Sequence, residues 1–172
     1  MLLPSSGFQN VGFAERGMTF DRIDRQILNL LQQDGRMTNV ELAERVGLTA
    51  PPCLRRVRAL EEAGVILGYH AELDPPTLGY PITVFAMVSL KSQAEHDLAE
   101  FERHVATIPE IRECHMLNGE IDFILKIVAG DLKSFQEILT THLTPAPNVA
   151  SVKTSLTIRT SKHQPGIPVT VD

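Results

Sequence analysis

Three arginines crowd into one short stretch of this chain, Arg55, Arg56 and Arg58 within TAPPCLRRVRALEEAG. A planar, permanently charged guanidinium can grip a phosphate or read the edge of a guanine, so the chemistry they suggest is nucleic-acid recognition. The same side chains can equally be solvated or paired with Glu61 and Glu62. A second feature is Asp122, which alternates with Ile121 and Phe123 in NGEIDFILK. If both sides of that strand are covered, a carboxylate there is costly unless a cation meets it, and a ligand ammonium would do so. The amides of the preceding turn, Leu117, Asn118, Gly119 and Glu120, can receive a ligand carboxylate. Asn-Gly is equally what any tight hairpin uses, and Glu120 can simply be solvated. No constellation points to bond-making chemistry. His70, His96, His104, His115, His142 and His163 are scattered, with neither a nucleophile beside a base nor a metal-binding spacing. Cys114 and His115 are neighbours on a strand, where adjacent side chains point opposite ways. Both cysteines, Cys53 and Cys114, read as reduced, buried thiols. The expectation is therefore a chain without catalytic residues, metal or cofactor.

The net charge of −5 argues against a nucleic-acid partner only until its distribution is read. Residues 21–70 hold seven arginines against seven carboxylates, and the whole acidic excess lies after residue 70, eight basic side chains against thirteen acidic. The first part is neutral with an arginine cluster; the second is acidic. No apolar run is long enough to cross a bilayer, which together with the cysteine usage gives a cytoplasmic, membrane-free expectation. With 172 residues, two small lobes that lean on a partner are expected.

The elements that must position these residues follow from periodicity. Residues 1–20 read as a flexible leader, with Met18 an alternative start. Residues 21–65 read as three helices. The first carries Ile23, Ile27, Leu30 and Leu31 and stops at Gly35; the second is capped by Asn39 and stops at Gly47; the third is capped by Thr49, tolerates Pro51 and Pro52 in its first turn, and is closed by Gly64. On the third, Cys53, Leu54, Val57 and Leu60 share one sector at about 100° per residue, while Pro52 and Arg55 point the other way and Arg56 and Arg58 flank the edges. Helix, glycine turn and helix make a helix-turn-helix. Residues 66–79, with VILGYHAEL leading in, read as a strand and hinge. Residues 80–161 then read as βαββαβ: a strand apolar on both faces, a helix boxed by Ser92 and Glu95, a hairpin with a type I′ turn at Asn118-Gly119, a helix capped by Asp131, and a last strand from Val149. Residues 162–172 form a tail. Strands apolar on both faces, with no chain left to cover them, imply a second subunit's sheet. The fold class is α+β: a winged-type helix-turn-helix followed by a ferredoxin-like domain.

The segments DRIDRQILNLLQQDGRMTNVELAERVGLT, PPCLRRVRALEEAGVILGY and ECHMLNGEIDFILK follow in order and spacing a pattern that resembles the Lrp/AsnC family of amino-acid-responsive regulators, from Asp21 to about Ser161. The resemblance implies a sequence-specific transcription regulator on double-stranded operator DNA, a homodimer assembling to an octamer through its second (RAM) domain, and a small effector, an amino acid. It implies DNA contacts at the start of the third helix, Thr49, Ala50, Pro51 and Pro52, with Arg55, Arg56 and Arg58. Relatives often have Ser or Thr in that first turn, so Ala50-Pro51-Pro52 is a departure and base preference does not carry over. For the effector it implies Leu117, Asn118, Gly119, Glu120, Asp122 and Phe123, with Leu132, and with Thr154, Ser155 and Leu156 contributed by a facing dimer. Siroheme decarboxylase subunits resemble the same architecture, but would be expected to show basic and histidine residues lining a tetrapyrrole pocket.

Overall fold

Short helices in water hold only if their free ends are satisfied and one stripe is buried, and the first three helices do both. The computed structural model describes residues 19–171, so nearly all of the leader falls outside the described residues. The chain divides into two units: residues up to Ala71 together with those from Gln164 onward, and Glu72–His163.

In the first unit, α1 (Arg22–Gln33) is opened by Asp21, whose carboxylate accepts from the Asp24 amide while Asp24 returns the bond to the Asp21 amide. Helix α2 (Asn39–Val46) is capped by Thr38 with Glu41 closing the box, one residue earlier than the expected Asn39, and Gly47 ends it in the left-handed conformation at φ 72°. Helix α3 (Ala50–Glu62) starts after Thr49, whose hydroxyl makes no capping bond; the prolines in the first turn lack amides that would otherwise go unpaired. Ile27, Leu42, Ala43, Val46, Cys53, Val57 and Leu60 form the core between the three helices. The strand read over residues 65–73 is absent: these residues have no ladder partner, and Leu67 and Leu73 stand exposed. A strand needs a neighbour for its amides, and none of the described residues supplies one there.

The second unit is β1 (Ile82–Leu90), α4 (Glu95–Val105), β2 (Ile111–Met116), β3 (Phe123–Ala129), α5 (Leu132–Ile138) running into a π-helical turn over Leu139–Leu143, and β4 (Val149–Leu156). All strands pair antiparallel in the order β2-β3-β1-β4, the βαββαβ arrangement expected. Two local expectations fail. Helix α4 begins after Ala94 without a side-chain cap, because the Ser92 hydroxyl accepts from the Ala94 amide instead. The β2–β3 connection is a six-residue loop and not a type I′ turn: neither Asn118 nor Gly119 has a positive φ, and the Leu117 amide closes the loop on the Asp122 carbonyl at 2.8 Å. The Asp122 amide is drawn to the Val88 carbonyl across β1, which takes Asp122 out of a tight hairpin.

The helix-facing side of the sheet is a dry core of Val84, Ala86, Val88, Leu125 and Ile127 with Phe101, Val105, Phe135, Ile138 and Leu143 from the helices. Phe101 and Phe123 are both fully buried, their rings 4.8 Å apart and tilted by 41°. Phe123→Ala should therefore cost about 3–5 kcal/mol, read as a lower urea midpoint at unchanged slope; a loss below about 1 kcal/mol would mean that this contact does not anchor the domain.

Candidate functional site

The exposed face of α3 carries Arg55 and Arg58, neither of which makes an ion pair within 4 Å among the described residues. Thr49 and Pro51 are exposed at its N-terminal end, with Ala50 and Pro52 half-covered beside them. Arg56 is different. Its Nη1 lies 2.7 Å from Asp21 Oδ2 and 2.8 Å from Asp24 Oδ1, so the guanidinium is spent on the capping box of α1. This geometry gives Arg56 a role the sequence did not signal: through Nη1 it ties α3 to the start of α1. Only Asp-x-x-Asp ahead of the first apolar stripe could have signalled it. Glu61, the alternative partner weighed for the arginines, instead accepts from the Tyr69 hydroxyl at 3.0 Å; burial, and then that carboxylate, push the phenol up to about 12.

At the second candidate site, Asp122 is buried, but it is not unpaired. Its Oδ2 accepts from the Leu90 amide at 2.6 Å and its Oδ1 from Gln93 Nε2 at 2.7 Å. The chain itself supplies two donors to this carboxylate, so its burial does not by itself call for a ligand ammonium; Gln93 carried no signal in the sequence. The Phe123 side chain is fully buried in the core. Leu117 and residues 118–120 are exposed on the loop above Asp122. Leu132, Thr154, Ser155 and Leu156 are exposed too, but at the other end of the sheet: Val88 pairs with Phe123 beside the loop, whereas Val84 pairs with Leu156 and Ile82 with Ala129. One chain thus holds two half-sets of the expected effector residues, at opposite ends of the strands.

The sheet face away from the helices is open. Register places Thr83, Phe85 and Met87 of β1 beside Val128, Lys126 and Ile124 of β3, and Phe85 is 37% exposed. Lys126 donates to Glu113 at 2.8 Å, and Lys126 first among its neighbours holds that carboxyl below its ordinary range. Thr157 continues the same face, and among the described residues its Oγ1 is the buried side-chain polar atom that lacks a partner. Cys53 is buried as expected; Cys114, expected buried, is exposed on the edge strand β2. Among the described residues no three His, Cys, Asp or Glu side chains gather as metal ligands would, and no helix is long and apolar enough to cross a membrane.

Residues 83–167 match the family described as Lrp/AsnC ligand binding domain, and residues 20–66 match winged helix-turn-helix DNA-binding. The leucine-responsive regulatory protein of Rhizobium meliloti (strain 1021) is 55% identical over 142 residues, 83% of this chain and 91% of that protein. The chain belongs to the Lrp/AsnC family. The leucine-responsive regulatory protein of Escherichia coli (strain K12) is 41% identical over 147 residues, 86% of this chain and 90% of its own. A crystal structure of a transcriptional regulator from Neisseria meningitidis in complex with L-Met has a TM-score of 0.83 at 35% identity, covering 87% of this chain and 97% of that one. As in the family, a DNA-binding helix-turn-helix is followed by a ligand-binding domain, and the chain is a transcription regulator.

The Asp21 carboxyl is held below its ordinary value of 3.8, by the Asp24 amide first and Arg56 next. Its charged form therefore stabilises the first unit above that value, and the contribution is lost as the pH falls through the lowered folded value. Asp21→Asn should lower the melting temperature at neutral pH and make it fall less steeply below pH 3.8; parallel melting curves for the two proteins would show that the cap contributes nothing.

Proposed function

We propose that two copies of this chain clasp through the open faces of their sheets, present their α3 helices as a pair to operator DNA, and change assembly or DNA occupancy when an amino acid binds. The observation that carries this reading is the open face itself, where Phe85, Met87, Ile124 and Val128 lie beside an orphaned Thr157 hydroxyl in a chain whose other unit is a helix-turn-helix. Apolar sheet faces are covered in folded proteins, and a symmetric second copy covers this one without any further chain. The near-neutral DNA-binding lobe supports the same conclusion, because one copy has few charges with which to release counterions and two half-sites must be used together.

On DNA, the N-terminal end of α3 enters the major groove with Thr49, Ala50, Pro51 and Pro52 nearest the duplex; Arg55 and Arg58 reach base edges or phosphates, while Arg56 stays on α1. The two half-sets of effector residues support a site completed between dimers. Leu117 to Glu120 and Asp122 come from one dimer, Leu132 and Thr154 to Leu156 from the next, and an octamer of four dimers closes that arrangement. Asp122 keeps oxygen lone pairs beyond its two bonds for an ammonium, and the loop amides suit a carboxylate. The L-Met bound to the Neisseria regulator and the leucine-responsive names of the relatives support an amino acid as effector. The reading is of a cytoplasmic regulator without catalysis.

Phe85→Asp should turn the sedimenting species into a monomer and abolish tight duplex binding while each unit still melts cooperatively; a dimer that survives this charge would remove the open face as the interface. Arg55→Ala should reduce the slope of log affinity against log salt by about one, whereas Arg56→Gln should lower thermal stability and leave the slope unchanged. A thermal-shift panel of the twenty amino acids should yield at least one that stabilises the protein, by about 2.7 kcal/mol at a hundredfold excess over its Kd. A flat panel would contradict an amino-acid effector.

A further inference from the structure

The segment that follows β4 returns to the DNA-binding unit. Residues from Gln164 onward belong to the first unit although everything between Glu72 and His163 belongs to the second, so the backbone crosses between the units twice. The first residue after one crossing meets the last residue before the other: His163 Nε2 lies 2.8 Å from Glu72 Oε1. Beyond it the tail is clamped to α1. The Ile167 amide donates to Gln32 Oε1 at 2.7 Å, and Gln32 Nε2 donates back to the Ile167 carbonyl at 3.1 Å. One side-chain amide thus imitates a strand partner and satisfies both backbone groups of a single residue.

The clamp depends on Gly166. Its φ is +79°, a conformation that L side chains rarely adopt, and a Cβ there would fall on Gln32 Oε1. The Ile167 side chain is 72% exposed, so apolar burial does not hold the tail; the paired amides and the glycine do. Gln32 sits in the last turn of the helix whose first turn grips Arg56 of α3. The tail is therefore linked to the DNA-reading helix through one rigid rod.

We infer that residues 164–171 are a strap, docked on α1 at Gln32, which makes the hinge between the two units double-stranded and so limits the freedom of α3 relative to the ligand-binding domain. This deepens the proposed function, since it rests on two α3 helices acting together. Each α3 held at a defined position raises the effective concentration of the second half-site once the first is bound.

The test compares the wild-type full-length chain with Gln32→Ala, Gly166→Val, the double variant, and a chain stopped after His163, with thermal melts of each to establish folding. Hydrogen exchange at the Ile167 amide should be slow in the wild type and at least roughly tenfold faster in each full-length variant. On duplexes selected by the wild-type protein from a random pool, affinity for two half-sites should fall roughly threefold to tenfold in every variant. Affinity for one half-site should stay unchanged, and the double variant should lose no more than either single one. An Ile167 amide that exchanges freely in the wild type overturns the clamp. A freed tail with unchanged two-site affinity, or equal losses on both duplexes, overturns the strap. A wild-type chain that selects no duplex instead sinks the DNA-binding reading, and the exchange result then decides the clamp alone.

Discussion

A sheet whose two central strands, β1 and β3, are largely apolar on both sides is poorly suited to leaving one side wet, and among the described residues its own helices cover only one. On the covered side Val84, Ala86, Val88, Leu125 and Ile127 are essentially inaccessible; on the other, Phe85 is exposed and Met87, Ile124 and Val128 are half-buried. In the proposed dimer the sheet of a second copy covers that face. Such pairing would also present two recognition helices together and raise DNA affinity above that of one near-neutral lobe.

Charged groups in the molecule divide between those that hold the fold and those that remain available. On α3 the division falls between adjacent residues, since Arg56 pairs with two carboxylates at the start of α1 while Arg55 and Arg58 make no ion pair among the described residues. At the loop before β3 the same division runs through a single carboxylate. Asp122 fastens its own loop to the end of β1 through Leu90 and Gln93, and so presets the exposed residues 117–120 as a platform. Because Asp122 holds its own loop, replacing it would disturb the loop as well as any contact made there, so it is a poor probe of binding alone.

Much of this architecture was legible in the sequence, because its signals are local. Apolar spacing with glycine stops defines the three helices, and alternating runs separated by helical stripes define βαββαβ and its strand order. The sheet's need for a partner was legible for the same reason, from the residues of β1 alone. What escaped depends on partners distant in the chain. Arg56 looks like its neighbours until α1 packs against it, 32 residues away in sequence. Asn118-Gly119 is a hairpin turn by composition, yet the pull of Val88 on the Asp122 amide opens it into a longer loop. Residues 65–73 have a strand's composition without a strand's neighbour, and Cys114 has an apolar setting in sequence but sits on an edge. The burial of Phe123 was not legible, because alternation gives two faces without saying which one the helices cover.

The proposed pairing fixes how many chains a duplex holds. Sedimentation equilibrium of the wild-type protein with duplex DNA at low ionic strength measures that number directly. Paired subunits put an even number of chains on every bound duplex, with no complex at one chain per duplex even when DNA is in excess. A stable complex of one chain with one duplex, or a protein that stays monomeric and leaves the DNA free, would contradict it.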